Sequence, residues 1–319
     1  MAVTTPASIS EFTKAIDPGV RKHLNNDVKL LEPMLEYVFK VETQEDYVQE
    51  EEDYSGLGAM ATVQPGENYP EDANIQIYNT VYNITKKGDL YPIQNELLRW
   101  GKEKTIFNGA KAQGNKVARQ IEKDASMVYN RAFSSSYTSY GDGASLISTS
   151  HTRADGGTAR SNKSTGNINL TESNLEVGLI AGGEVLNHRG HPINSMFDCL
   201  VVPLALEKEA IIITGSDQRS GTADNDLNVY KGGLSIIKGS RLKIVSWRYL
   251  GAYLGGSDTA WFLLDSGDIP VRWNWGMKPR FNQSNEQGFK NDVLYYRADY
   301  EHSTGWEDPI GRIWGSTGT

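Results

Sequence analysis

The clearest hydrophobic pattern lies between residues 94 and 135. Phe107, Ala110, Gly114, Val117, Ile121, Ala125, Val128 and Ala132 recur in steps of three and four. Lys102, Glu103, Lys104, Lys116, Arg119, Glu122 and Lys123 fill the remaining faces. That spacing predicts one amphipathic helix opened by Leu97 and Leu98. At 1.5 Å per residue it would run roughly 60 Å, far above the usual helix length. Its apolar stripe is rich in Ala and Gly, which lets a sheet or another backbone approach closely. Gly109 and Gly114 each cost about 1 kcal/mol relative to Ala, so they mark places for a bend.

Elsewhere the pattern is weaker but ordered. Val28, Leu31, Leu35 and Val38 give a short helical part within residues 1–44, interrupted by Pro18 and Pro33. Residues 45–92 begin with the acidic cluster Glu45, Asp46, Glu50, Glu51, Glu52 and Asp53, and continue through Pro65, Gly66 and Pro70. Asn74–Ile84 then reads as a strand whose alternation slips near Tyr78, the signature of a bulge or strong twist. Lys87-Gly88-Asp89 reads as a turn. This stretch has too few large apolar residues for a core of its own, so it must pack on something else, and a neighbouring subunit is one candidate. Residues 138–170 form a polar Gly/Ser/Asn/Thr-rich loop. A second helix is expected over 171–190. Thr171 or Ser173 caps it, Ser173 and Glu176 fit a capping box, Leu175, Leu179 and Leu186 share a face, and Gly190 stops it. From residue 191 the chain is mainly β and turn. Strands are expected at Phe197–Val202, Leu242–Trp247, Trp261–Leu264, Val293–Tyr300 and Ile310–Trp314, with a short helix over Leu206–Ile213. Trp273 and Trp275 lie two apart, on one face of a strand. The fold class is α+β.

Composition narrows the function. The 319-residue chain is 38% hydrophobic and 23% charged, with a net charge of −8, so a packed core is expected. Its longest basic clusters are the pairs Arg21-Lys22 and Lys86-Lys87. Strong nucleic-acid binding needs a basic face, and an acidic wall suits a container better than a clamp. Cys199 is the sole cysteine, which excludes a disulfide framework within one chain. The start, MAVTTPASISEF, has no basic region and no apolar run, so no signal peptide is expected there. No apolar stretch of about 18 residues is present to make a transmembrane helix. A soluble protein of a reducing cytoplasm is expected.

Motifs for catalysis are weak. Phe262-Leu263-Leu264-Asp265-Ser266-Gly267 is similar to the active-site turn of aspartic peptidases, where two carboxylates share a proton. Only one copy is present, so Asp265 would need a homodimer, and the bland reading is a strand ending in a polar turn. Gly109 and Gly114 have the separation of a phosphate-binding loop. Asn115 stands where its lysine must be, and the segment reads as mid-helix, so that motif is rejected. His188 and His191 are three apart near a helix end but lack a third metal ligand. Cys199 sits in an apolar run and reads as a buried, inert thiol. The acidic cluster lacks the spacing of a calcium loop and reads as a solvated face, or as one that meets a basic patch on another copy. No catalytic, cofactor or metal residues are therefore assigned.

The order of these parts carries a resemblance. The chain runs from an N-terminal arm to an extended β loop, then a very long Ala/Gly-striped helix, a polar loop, a capped helix and a β-rich half. This resembles the major capsid protein of tailed bacteriophages, the Hong Kong 97-type shell fold. SLISTSHTRADGGTARSNKSTGNINLTESNLEVGL looks like that family's passage from its long helix into its inserted domain. VLYYRADYEHSTGWEDPIGRIWGS resembles its closing strands. The resemblance implies an arm at 1–44 and an extended loop at 45–92 lying over a neighbour. It implies a peripheral domain with the spine helix at 93–170 and 271–319, and an axial domain at 171–270. It further implies hexamers and pentamers of one chain in an icosahedral shell around double-stranded DNA bound without sequence specificity. Scaffold, portal and possible decoration proteins would be partners, a membrane would not, and the shell would be assembled in the host cytoplasm and end in the virion. There is no room for a removable scaffolding segment of the size some members carry, so a separate scaffold or an already mature chain is expected. The type member links a loop lysine to a neighbour's asparagine, and Lys86 and Lys87 fall in the corresponding stretch. An encapsulin-like compartment shell would share the fold, and a homodimeric peptidase using Asp265 is the enzymatic alternative.

Overall fold

The computed structural model describes residues 34–94, 96–97, 100, 102–193, 195–216, 228, 230, 242–284 and 293–319. In chain order the elements begin with α1 (Leu35–Val38), β1 (Lys40–Thr43), β2 (Val48–Tyr54), β3 (Gln76–Asn83), β4 (Thr85–Gln94) and α2 (Glu103–Asn130). They continue with α3 (Glu172–Gly183), β5 (Cys199–Pro203), α4 (Glu207–Gly215), β6 (Lys243–Trp247), β7 (Trp261–Leu264), β8 (Val271–Ser284), β9 (Val293–Trp306) and β10 (Ile313–Ser316). One sheet has the order β1-β8-β9-β4, a second β10-β7-β5-β6, and β2 and β3 form a separate two-stranded ribbon.

The second sheet explains the apolar runs in the sequence. Cys199, Val201, Phe262, Leu264 and Ile313 face one core, which they share with α2 and the first sheet. Leu200, Val202, Trp261, Leu263 and Trp314 face another, built with residues of α3 and α4. Successive side chains of a strand point to opposite faces, so a strand covered on both sides must be apolar throughout. Small residues bring the helices close. A Cβ on Gly178 would meet the ring of Trp314, and one on Gly182 would overlap the ring of Phe197.

The long helix is present but shorter than its pattern. The 28 residues of α2 span about 42 Å. Beyond Asn130 the chain tightens into turns closed by Ala132 N–H to Tyr129 O and Ser134 N–H to Arg131 O, while Ala132 remains buried. The stripe therefore outlasts the helix. Ala110, Val117, Ile121 and Ala125 are buried as expected. Gly109 serves packing: a Cβ there would overlap the phenol of Tyr91 on β4.

Other expectations are corrected. Lys87-Gly88-Asp89 is no turn but the middle of β4, with Gly88 opposite Asp299 of β9. Pairing along ten residues outweighs a local turn preference. Strand β9 runs six residues past Tyr300, because it has β8 on one side and β4 on the other. α3 ends at Gly183 rather than Gly190, with Thr171 as its cap: the Thr171 hydroxyl accepts from Asn174 N–H at 3.3 Å. Gly190, at φ 79°, instead turns a small loop beyond it. A register shift lies opposite the Tyr78 region, between Glu52 and Tyr54. The Val28 and Leu31 half of the N-terminal pattern lies outside the described residues.

Trp273 and Trp275 do share a face, with ring centroids 5.2 Å apart, and Trp273 stacks on His302 at 4.4 Å. His302 is buried, and its Nδ1 finds no partner among the described residues. Burial pushes the imidazole down to about 4, against the pull of the Asp124 carboxylate 4.0 Å away. In the unfolded chain a histidine titrates near 6.5. Between the two values the unfolded chain holds a proton that the folded one does not. Stability is therefore lost as pH falls from about 6.5 to about 4, by at most about 1.4 kcal/mol per pH unit. His302→Gln is expected to remove that component, seen as a shallower difference curve when urea denaturation midpoints are measured across this pH window.

Candidate functional site

The loop joining β2 and β3 is almost wholly exposed, whereas Ser55, next to β2, and Thr80 and Tyr82 of β3 are buried. Burial alternates along β2: Gln49, Glu51 and Asp53 turn inward, while Glu50 and Glu52 turn out. The acidic cluster is therefore not a uniformly solvated face, which corrects the sequence reading. Period-two geometry gives Glu51 and Asp53 to the protein and Glu50 and Glu52 to solvent, where Glu45 and Asp46 also lie.

Glu51 enters an ionic junction. Arg272 Nη1 on β8 donates to Glu42 Oε2 at 2.6 Å and to Glu51 Oε1 at 2.7 Å, and Arg272 Nη2 pairs with Glu307. Arg312 holds the other side of Glu307 at 3.2 Å and Asp268 at 2.7 Å. Burial raises the Glu51 carboxyl against the pull of Arg272, and the neighbouring Glu307 raises it further. The junction ties β1, the ribbon, β8 and the segment after β9 at one point.

Asp53 enters a second cluster. Tyr140 Oη donates to Asp53 Oδ2 at 2.6 Å. Arg160 Nη1 and Nη2 clamp Asp308 at 2.9 and 3.3 Å. His188 Nδ1 accepts from Ala154 N–H at 3.2 Å, and its Nε2 lies 2.9 Å from Arg160 Nη2 and 3.2 Å from Asp308 Oδ2. Burial would raise the Asp308 carboxyl, but the hydrogen bond from His188 and the charge of Arg160 hold it below the usual carboxylate range. Asp53, His188 and Asp308 lie close enough to share a cation. Arg160 already supplies that positive charge, so the cluster is an ionic clasp rather than a metal cage. Next in sequence, Arg189 reaches the ribbon's loop: its Nε donates to Ser55 Oγ at 3.2 Å, its Nη1 to Asp72 Oδ1 at 2.9 Å, and its Nη2 to Ala73 O.

Beyond these anchors the loop is bare. Met60 is fully exposed, Tyr69 is 85% exposed, and Leu57 and Ile75 are also exposed. Large apolar side chains left exposed along one loop suit a contact surface.

The residues singled out in sequence fall elsewhere. Asp265 closes its own turn, accepting from Gly267 N–H at 2.9 Å and Met196 N–H at 3.3 Å, and Asp198 accepts from Ser266 Oγ at 2.6 Å. The Asp265 carboxylate caps backbone, as a polar turn requires. Gly109–Lys116 is interior helix. His188 and His191 are not on one helix face, since α3 ends before them. Cys199 is buried, and burial pushes its thiol up to about 12. Lys86 and Lys87 belong to β4, where Lys86 pairs with Glu301 at 3.1 Å and Lys87 with Asp124 at 2.5 Å. The junction and clasp escape sequence reading because their members come from many separate segments with no local spacing to reveal them.

Among the described residues no helix is long and apolar enough to cross a membrane. Two sheets, a long helix laid across one of them and a separate two-stranded ribbon make up the described architecture. Residues 78–314 match the family model described as phage capsid protein, and the chain belongs to that family. No curated protein matches the sequence itself. Solved structures share the fold at low identity. A chain from Mycobacterium phage Patience is 10% identical, with TM-score 0.51, over 100% of this chain and 90% of that one. The capsid of Cyanophage P-SCSP1u gives 14%, 0.50, and 88% and 86%. A virus-like particle from Pyrococcus furiosus gives 11%, 0.50, and 94% and 98%. The protein is thus a capsid shell protein of the virion, and it assembles with copies of itself.

Arg160→Ala would leave Asp308 buried without its charge partner. A stability loss of about 3–5 kcal/mol is expected, measured by urea denaturation near neutral pH, with Arg160→Lys recovering part of it.

Proposed function

We propose that this chain is the major capsid protein of a tailed bacteriophage, assembling as hexamers and pentamers into an icosahedral shell that encloses double-stranded DNA. The family match over residues 78–314 carries this reading. In it the protein acts by assembly and not as an enzyme. The use of Asp265 to cap its own turn supports that choice over a peptidase.

Residues 1–44 act as the arm and 45–92 as the extended loop. The peripheral domain is 93–170 with 271–319, and the axial domain is 171–270. The ribbon's exposed apolar loop supports a contact with the neighbouring copy. Each such contact can be weak, because closure of a ring and multivalency add them together. A scaffold and a portal protein complete the assembly, which takes place in the host cytoplasm.

Two measurements test this. Negative-stain electron microscopy of the purified chain, with its scaffold if one is encoded beside it, is expected to show closed shells, tubes, or hexameric and pentameric rings. Persistent monomers under all such conditions would overturn the reading. Replacing residues 56–74 by Asn-Gly keeps β2 and β3 joined by a favoured hairpin turn. That variant is expected to retain the wild-type melting profile and lose shell formation; normal shells from it would remove the loop from assembly.

A further inference from the structure

Charge is divided unevenly along this acidic chain. Residues 41–85 contain ten carboxylates and no Lys, Arg or His. The net charge of −8 therefore leaves the rest of the chain at +2. Five of the chain's 32 Lys and Arg residues lie on α2, against the three carboxylates Glu103, Glu122 and Asp124. From Lys104 to Asn130 it carries Lys104, Lys111, Lys116, Arg119 and Lys123, all exposed. Glu122 and Asp124 are turned to the protein. Glu122 is buried and accepts from Trp247 Nε1 at 2.8 Å and Met34 N–H at 2.9 Å. Asp124 accepts from Gln120 Nε2 at 2.8 Å and Tyr300 Oη at 2.8 Å and pairs with Lys87.

The outer face of α2 is thus a stripe of cations interleaved with exposed Thr105 and Asn108 and half-buried Asn115. Lys116 pairs with Asp89 at 2.8 Å, whereas Lys104, Lys111 and Lys123 form no ion pair among the described residues. From Lys104 to Lys123 the stripe is about 29 Å long, close to one turn of duplex DNA at about 34 Å. Ammonium groups and side-chain amides spaced along a rigid rod suit phosphate oxygens and read no sequence. Mutual repulsion among unpaired lysines is relieved by a polyanion, and the counterions displaced from it add to the gain.

We propose that the outer face of α2 is the surface on which this protein meets the phosphate backbone of double-stranded DNA. The proposal rests on the capsid reading for the presence of DNA, but it concerns one helix face and can fail separately. The acidic β2–β3 ribbon of a second copy is the competing occupant. Duplex DNA is favoured because the ribbon's inward carboxylates, Glu51 and Asp53, are already bonded within their own chain.

The test uses the full chain with a short fluorescein-labelled duplex of random sequence, read by anisotropy over a series of salt concentrations. The wild type is expected to bind weakly, with affinity falling as salt rises. The triple variant Lys104→Gln, Lys111→Gln, Lys123→Gln is expected to reduce the slope of log K against log salt by about 0.9 per lysine. The matching Lys→Arg variant should restore it, and Glu50→Gln with Glu52→Gln and Glu67→Gln should leave it unchanged. An unchanged slope in the Lys→Gln variant, or no wild-type binding at low salt, overturns the proposal. So does loss of shells in both the lysine and the glutamate variants with DNA binding unaltered, which assigns the face to a neighbour's ribbon. If no shells form from any chain while the slopes respond as expected, the DNA surface stands and the capsid reading falls.

Discussion

The second sheet is the constraint on which the rest of the molecule depends. Because β5 and β7 are covered on both faces, they bind two cores into one body. Val201 and Phe262 look toward α2 and the first sheet, while Leu200 and Trp261 look toward the core shared with α3. Tyr129, near the end of α2, meets Phe39, Trp247 and Phe262 edge-on with centroids 5.4–5.8 Å apart. The far end of the helix is thereby pinned to the same strands that anchor α3. Interiors packed to this density transmit displacement rather than absorb it. The loop between β2 and β3 shares little of that packing.

That division of labour also explains what can be read from sequence. The strands at Trp261–Leu264 and Cys199–Pro203, the Trp273/Trp275 pair and the Ala/Gly stripe are all legible, because each states its environment in a few consecutive residues. The helix ends before its stripe does because burial of Ala132 does not require helical hydrogen bonding. Gly88 reads as a turn because its strand partner lies more than 200 residues away. The polar stretch Asp299–Ser303 is unreadable as core for the same reason: Asp299 and His302 are buried only because Arg280 and the rings of Trp273 and Tyr300 close over them. The ionic junction around Arg272 and the clasp around Arg160 are wholly hidden, since partners such as Asp53 and Asp308 have no local signature. The acidic ribbon is legible as acidic, but only strand geometry shows which carboxylates face inward.

The match to solved shells at 10–14% identity has a physical basis. A pattern of small residues facing large rings, as at Gly182 against Phe197, can be met by many sequences provided volume and periodicity are kept. The ion pairs that lock the ribbon to the body are not required by the fold in that sense.

One further property follows from β4, which closes the first sheet at its edge. A ten-residue strand whose outer backbone groups have no strand partner among the described residues is a template for another strand. Here it carries Lys86 and Lys87 at one end and Pro92, which has no N–H to offer, at the other. A chain made in many copies at high local concentration risks growing a continuous sheet through such an edge. The two lysines and the proline make open-ended ribbon growth costly, so association is left to surfaces that can close on themselves.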